Sequence, residues 1–200
     1  MNKGLLFVVS GPSGAGKSTI CTRVIEKTGM KQSVSVTTRP PRPHEVEGVD
    51  YFFRTEEQYQ QMIAAGEFLE TAEVHKNFYG TPKAPVFENL ENGYDMLFDI
   101  DYHGARAIKR KYPDAIAIFI MTPDFETLEE RLRNRGTETE ASLKTRLSAA
   151  KRELGKYELY DYIVFNDNAD QAIQEVLDIV TAEKRKIKNN VHVIKKMLDQ

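Results

Sequence analysis

The amino-acid sequence predicts an α/β protein built around a parallel sheet, and two observations carry the prediction. Residues 5–9, 96–100 and 116–120 are short apolar runs rich in Val, Ile and Phe, separated by stretches of helical periodicity, as buried strands joined by crossover helices are. A glycine-rich octapeptide at residues 11–18 follows the first run directly and opens the helical pattern Ile20, Val24, Ile25.

The first run is a buried strand and ends at the octapeptide. The second ends in Asp99-Ile100-Asp101, and the third leads into a helical pattern. A fourth strand is expected at Tyr162-Ile163-Val164-Phe165, followed by Asn166-Asp167-Asn168 and apolar residues Ala172, Ile173, Val176, Leu177 and Val180 at helical spacing. Two segments depart from this alternation. Residues 31–81 carry short polar strands (33–38, 51–53 and 68–74), a Pro40-Pro41-Arg42-Pro43 turn and many aromatics, as an inserted region would. Between 126 and 160 a helical pattern breaks at Gly136 and restarts, with Thr137 and Glu140 spaced as a capping box, so two helices are expected to meet at a hinge.

Composition bounds the rest. Two hundred residues make one compact domain. The 28 basic and 30 acidic residues nearly cancel, which excludes the global positive field of a nucleic-acid or anionic-membrane binder. The N-terminal apolar run of five residues ends at Ser10-Gly11-Pro12, too short for a signal peptide, and no window suits a membrane helix. The single cysteine, Cys21, cannot form an internal disulfide, so a soluble, reducing, cytoplasmic setting is expected. The Lys184-Arg185-Lys186-Ile187-Lys188 cluster is either an anion patch or, as we favour, a solvated face of the last helix.

Gly11-Pro12-Ser13-Gly14-Ala15-Gly16-Lys17-Ser18 satisfies G-x-x-x-x-G-K-[ST] in the strand–loop–helix context that phosphate binding requires. Its glycines let backbone N–H groups and a helix N-terminus face phosphates, Lys17 reaches β- and γ-oxygens, and the Ser18 hydroxyl suits a Mg²⁺ ligand. The alternative, an accidental glycine-rich turn, needs all eight residues and both flanking elements to coincide.

Asp99 and Asp101 sit at the C-terminal edge of a strand, where ligands bind in open α/β sheets. A metal role through water fits Asp99, and a loop-capping pair is the plainer alternative. Arg131 and Arg135, four apart, share a helix face, and Arg146 lies beyond the Gly136 break. Arginines on a closing lid neutralise a transferring phosphoryl group, whereas taken alone they would be ordinary surface charges. Arg39 and Arg42 flank rigid prolines, with Tyr51 and Tyr79 as further donors. They form either a phosphate clamp or a stiffened loop.

With these motifs in order, residues 4–183 resemble the guanylate kinase family. The likeness rests on Ser10 to Ser18, Ser33-Val34-Ser35-Val36-Thr37-Thr38-Arg39 with Arg42, Gly48-Val49-Asp50-Tyr51, Glu67-Phe68-Leu69-Glu70, Tyr79-Gly80-Thr81, Asp99-Ile100-Asp101 and Arg135-Gly136-Thr137-Glu138. The resemblance implies a P-loop NTPase three-layer core (residues 1–31, 82–125 and 161–200), a small mostly β GMP-binding insertion (32–81) and a helical lid (about 126–160). It implies phosphoryl transfer from Mg-ATP to GMP by a cytoplasmic monomer or homodimer, with no nucleic-acid or membrane partner. Arg39, Arg42, Tyr51 and Tyr79 would hold the GMP phosphate. Ser35, Glu70, Thr81 and Asp101 would hold the base, with Glu70 accepting from N1–H and N2–H₂ while Ser35 or Thr81 donates to O6. Lys17, Arg131, Arg135 and Arg146 would act on the ATP phosphates, with Asn166 near the adenine. One departure stands at Tyr102-His103-Gly104, where the family usually has Gln in place of His103.

Two rivals follow from the same residues. Guanylate-kinase-like scaffold domains bind peptides but lack an intact phosphate loop, whereas Lys17, Ser18 and the arginines are present here. A P-loop kinase for another small phosphorylated acceptor would not need the guanine-reading set.

Overall fold

The computed structural model of the chain describes residues 3–74, 76–134 and 139–199. Its central sheet has five parallel strands in the order β2-β7-β1-β8-β9: β1 (Leu6–Ser10), β2 (Lys31–Gln32), β7 (Met96–Asp99), β8 (Ile116–Met121) and β9 (Tyr162–Phe165). The four expected strands are there. The edge strand β2 is an addition, too short and polar to carry a pattern.

Alternation along β1 divides the core in two. Phe7 and Val9 point toward α1 (Lys17–Thr28) and α7 (Ala169–Arg185), where they meet Ile20, Val24, Ile173 and Val176. Leu6 and Val8 point the other way, toward Val86 and Leu90 of α3 (Lys83–Glu91) and Ala105 and Ile108 of α4 (Tyr102–Lys111). Strand β1 is buried on both faces, which is why it reads as an unbroken apolar run. Cys21 is buried within the first of these clusters.

The inserted region forms a second sheet, β4-β3-β6-β5, from β3 (Ser35–Thr37), β4 (Tyr51–Phe53), β5 (Phe68–Val74) and β6 (Asn77–Pro82). One face is covered by α2 (Glu56–Ala64), whose Tyr59 packs on Val36, Phe52, Phe68 and Phe78. The helix starts at a full capping box, Thr55 with Gln58.

A third cluster joins Phe119 and Met121 of β8 to Leu128 and Leu132 of α5 (Phe125–Arg133) and to Leu143 and Ala150 of α6 (Glu140–Leu154). Helix α6 is capped by Thr139, whose hydroxyl accepts from Ser142 N. The break at Gly136 and the capping pair expected at Thr137 lie outside the described residues. Asparagine supplies Oδ1 at the next helix start: Asn168 caps α7 by accepting from Gln171 N.

The basic cluster at 184–188 is not on the last helix, because α8 (Val191–Leu198) follows it. Three of its lysines are paired: Lys184 with Asp95, Lys186 with Glu183 and Lys188 with Asp114. Among the described residues no helix is long and apolar enough to cross a membrane.

Phe98 is fully buried at the centre of the α3/α4 side of the core. Phe98→Ala is expected to lower unfolding free energy by about 3–5 kcal/mol, seen as a lower urea midpoint at unchanged slope.

Candidate active site

The loop between β1 and α1 is shaped by two close approaches. Gly11 has φ 142°, and a Cβ there would lie 2.1 Å from Ile120 O. Gly16, the N-cap of α1, has φ 90°, and its Cβ would meet the amide of Asn166 at 2.2 Å. No other residue tolerates both the left-handed backbone and the missing space. Asn166 explains the second approach: its Nδ2 donates to Ala15 O at 2.7 Å while its backbone N–H bonds Met121 O. It is therefore a buttress behind the loop, and its Oδ1 is buried with no hydrogen-bond partner among the described residues.

Lys17 Nζ donates to Gly11 O at 2.5 Å and Pro12 O at 3.0 Å, folding its stem back over the loop. Ser18 Oγ donates to Asp99 Oδ2 at 2.8 Å. The strand pairing of β1 with β7 sets this contact, because it puts Val9 opposite Asp99 and brings both strand tips to the same edge. Asp101 is placed differently from expectation. Strand β7 ends at Asp99, so Asp101 is the N-cap of α4, with Oδ1 accepting from Gly104 N at 2.9 Å. His103, in the first turn of α4, packs its ring edge-on against Tyr102.

The cleft over the loop has a volume of 470 Å³ and is lined by Lys17, Ser18, Asp99, Asp101 and Glu153. From the α5/α6 side, Arg146 Nη1 donates to Ser13 Oγ at 2.8 Å, and Arg131 Nη2 donates to Asp167 O at 3.2 Å. Arg135 lies outside the described residues. Glu153, on α6, is an acidic residue that local spacing did not single out. Burial pushes its carboxyl pKa up, and the Lys17 charge opposes that rise.

The second sheet presents the remaining residues on one face, for a reason visible in its register. Ser35 pairs with Tyr51, Thr37 with Tyr79, and Glu70 with Thr81, so Ser35, Tyr51, Glu70, Tyr79 and Thr81 all point away from α2. Glu70 reaches that face only through a bulge. Phe68 pairs with Pro82 and packs on Tyr59, and the register shift between Phe68 and Glu70 turns Glu70 to the opposite side. There its Oε1 accepts from Thr81 Oγ1 at 2.7 Å. The Thr81 proton is thus committed to Glu70, whereas Ser35 Oγ has no hydrogen-bond partner among the described residues.

Arg39 stacks over Tyr51 at 5.5 Å and forms a two-oxygen pair with Glu45, at 2.6 and 2.9 Å. Glu45 also accepts from Arg42 N at 2.8 Å. Its carboxyl is held below the usual range by the Arg39 guanidinium. Glu45 fixes the direction of the Arg39 fork, a role whose only sequence signal is an acid three residues beyond Arg42. Tyr51 and Tyr79 meet edge to face at 6.0 Å.

Fold and cleft together define the class as the phosphate-loop nucleotide kinases. A family model described as guanylate kinase matches residues 3–183. A guanylate kinase of Clostridioides difficile is 47% identical over 195 residues, covering 97% of this chain and 95% of that protein. One from Carboxydothermus hydrogenoformans is 46% identical over 189 residues, covering 94% of this chain and 93% of that protein. The crystal structure of guanylate kinase from Anaplasma phagocytophilum superposes with a TM-score of 0.75 at 33% identity, over 93% of this chain and 89% of that one. The chain belongs to the guanylate kinase family, whose activity is phosphorylation of GMP by ATP.

Burial raises the Glu70 carboxyl pKa, with Asp101 adding to the rise and Thr81 opposing it, so folding favours the acid form. Its stabilising contribution is complete below the free carboxyl pKa and is lost as pH rises through the raised native value. Glu70→Gln is therefore expected to raise the urea midpoint of the ligand-free protein at pH 7 relative to wild type, and the difference should shrink toward pH 4.

Proposed function

We propose that this chain, in the cytoplasm, moves the γ-phosphoryl group of Mg-ATP onto GMP with the labour divided among three parts. The phosphate-loop core (1–31, 82–125 and 161–200) takes ATP, the inserted sheet (32–81) takes GMP, and residues of about 126–160 act as a lid. The observation that carries the reading is the place of Asp101, which lines the cleft with Ser18 and Asp99 and whose charge also reaches the Glu70 carboxyl paired with Thr81.

On the donor side, residues Gly11, Pro12, Ser13, Gly14, Ala15 and Gly16 present backbone N–H groups to the phosphates, and the N-terminus of α1 adds its dipole. Lys17 must leave the carbonyls of Gly11 and Pro12 to reach the β- and γ-oxygens. Arg146 already touches the loop at Ser13, and Arg131, with Arg135 as the family resemblance implies, would add positive charge toward the phosphates. Asn166 acts through the loop by holding Ala15, rather than by reading the adenine.

Ser18 and Asp99 are hard oxygen groups 2.8 Å apart, which suits a Mg²⁺ ion carried in by ATP with Asp99 acting through water. That ion would neutralise charge on the phosphates.

On the acceptor side, guanine offers N1–H and N2–H₂ to the Glu70 carboxylate. Ser35 supplies the donor for O6, because Thr81 Oγ1 is spent on Glu70. Asp101 closes the base site from α4. Arg39, Arg42, Tyr51 and Tyr79 hold the GMP phosphate, with Glu45 keeping Arg39 in place. The attacking oxygen of GMP is already anionic, so positioning and charge neutralisation supply the rate, and no general base is needed from His103.

Lys17→Ala is expected to cut kcat on the order of 10³-fold with an unchanged circular dichroism spectrum. Wild-type turnover in such a folded variant would refute the assignment. Glu70→Gln should lower kcat/KM for GMP by roughly 10²-fold while leaving the slow rate with AMP alone, narrowing discrimination. Because the Glu70 carboxylate is the binding form and its pKa is raised, GMP affinity should weaken on acidification at a higher pH than an ordinary carboxylate would dictate. Titration of GMP binding against pH checks this, and Glu70→Gln should flatten that profile.

A further inference from the structure

A cavity of 790 Å³ lies at the end of the sheet opposite the phosphate loop. Leu5 and Leu6 at the start of β1 and Ile116 at the start of β8 form its floor, so it is about one strand length, roughly 15 Å, from Gly11. Its walls are unlike the rest of this nearly neutral molecule. Four lysines line it, Lys3, Lys111, Lys188 and Lys195, against one acid, Asp114. Asp114 is already paired with Lys188. Lys3 and Lys195 have no carboxylate partner among the described residues, and Lys111 donates to the carbonyls of Phe68 and Leu69 with its charge also reaching the Glu70 carboxyl. Two ammonium groups without a carboxylate partner, with Lys111 beside them, thus surround one space.

That space also has an aromatic wall. Phe87 and Tyr112 pack edge to face at 5.4 Å, and the Lys3 ammonium sits 6.0 Å above the Phe87 ring. Helix α8 overhangs the opening with no side-chain cap bond from Asn190, whose Nδ2 donates to the carbonyls of Lys184 and Lys186.

We propose that this cavity is a second ligand site, which takes a small organic phosphate: a phosphate dianion or oligophosphate joined to a flat or apolar body. The volume is in the range of small-molecule sites. Lysines are point-charge binders of phosphate, and three of them complement a dianion better than a singly charged carboxylate. Phe87 and Tyr112 give the organic half a surface to lie on. Lys111 bridges from the cavity to Leu69 O, next to Glu70, so the site is one side chain from the strand that reads the base.

The test is a titration of the full chain, with ADP and GMP saturating the cleft, followed by amide NMR. Phenyl phosphate is the probe and inorganic phosphate the comparison. Saturable shifts are expected at Lys3, Tyr112 and His192, with phenyl phosphate binding more tightly. In a Lys3→Gln/Lys195→Gln chain the affinity should fall at least tenfold while turnover of ATP and GMP without probe is unchanged. The proposal is overturned by no saturable shift at those positions or by equal affinity in the double variant. Equal binding of inorganic phosphate overturns it as well, since that marks a plain ion patch.

Discussion

The shape of the phosphate loop depends on being pressed from behind. Ile120 O stands where a Gly11 side chain would be, and the Asn166 amide fills the space beside Gly16 while holding Ala15 O. Both props come from the C-terminal ends of β8 and β9, the two strands on one side of β1. The open curl of residues 11–16 is therefore a property of three neighbouring strands and not of six residues. From it follow the direction of α1, the position of Ser18 beside Asp99, and the place at which Arg146 can touch the loop.

Much of the donor half was legible in the sequence because it is local. An apolar run, a glycine pattern and a helical period lie within about twenty residues, and buried parallel strands announce themselves as unbroken Val, Ile and Phe. The inserted sheet was less so. Strand β6 passed unnoticed, since Asn77–Pro82 contains a glycine, ends in a proline and has no alternating pattern. The face to which Glu70 turns depends on a bulge, and a strict two-residue period would have sent it toward α2 with Phe68. The family resemblance supplied that residue where periodicity could not. Glu45 had only its spacing from Arg42 as a signal and Glu153 had none at short range, because each matters through a partner brought near by the fold. Asp101 was assigned to a strand edge on the same two-residue period, but the strand stops at Asp99 and the helix begins.

The two halves of the cleft handle charge in opposite ways. Around the loop, lysine and arginine are parked on carbonyls and a hydroxyl, contacts that phosphate can replace at little loss. In the second sheet the Glu70 carboxylate is held where burial works against its ionisation, a cost that the Thr81 hydroxyl opposes. On the function proposed above, the first arrangement would accept any phosphate chain and the second would select the base. The long side chains of α6 meet the first, with Arg146 on the loop and Glu153 over the same cleft.

The position of β1 in the sheet order has a consequence for how the chain acquires its structure. This first strand pairs Leu6 with Met96 and Phe7 with Ile116, so its two neighbours lie near the middle of the sequence. Until those strands have been made, the most apolar segment of the N-terminal region has no sheet to enter. Non-local parallel pairing of this kind is slow, and it leaves both strand edges exposed in the meantime. During synthesis the phosphate loop must form late, after more than half of the chain has emerged, whereas the inserted sheet, complete by Pro82, can close before it.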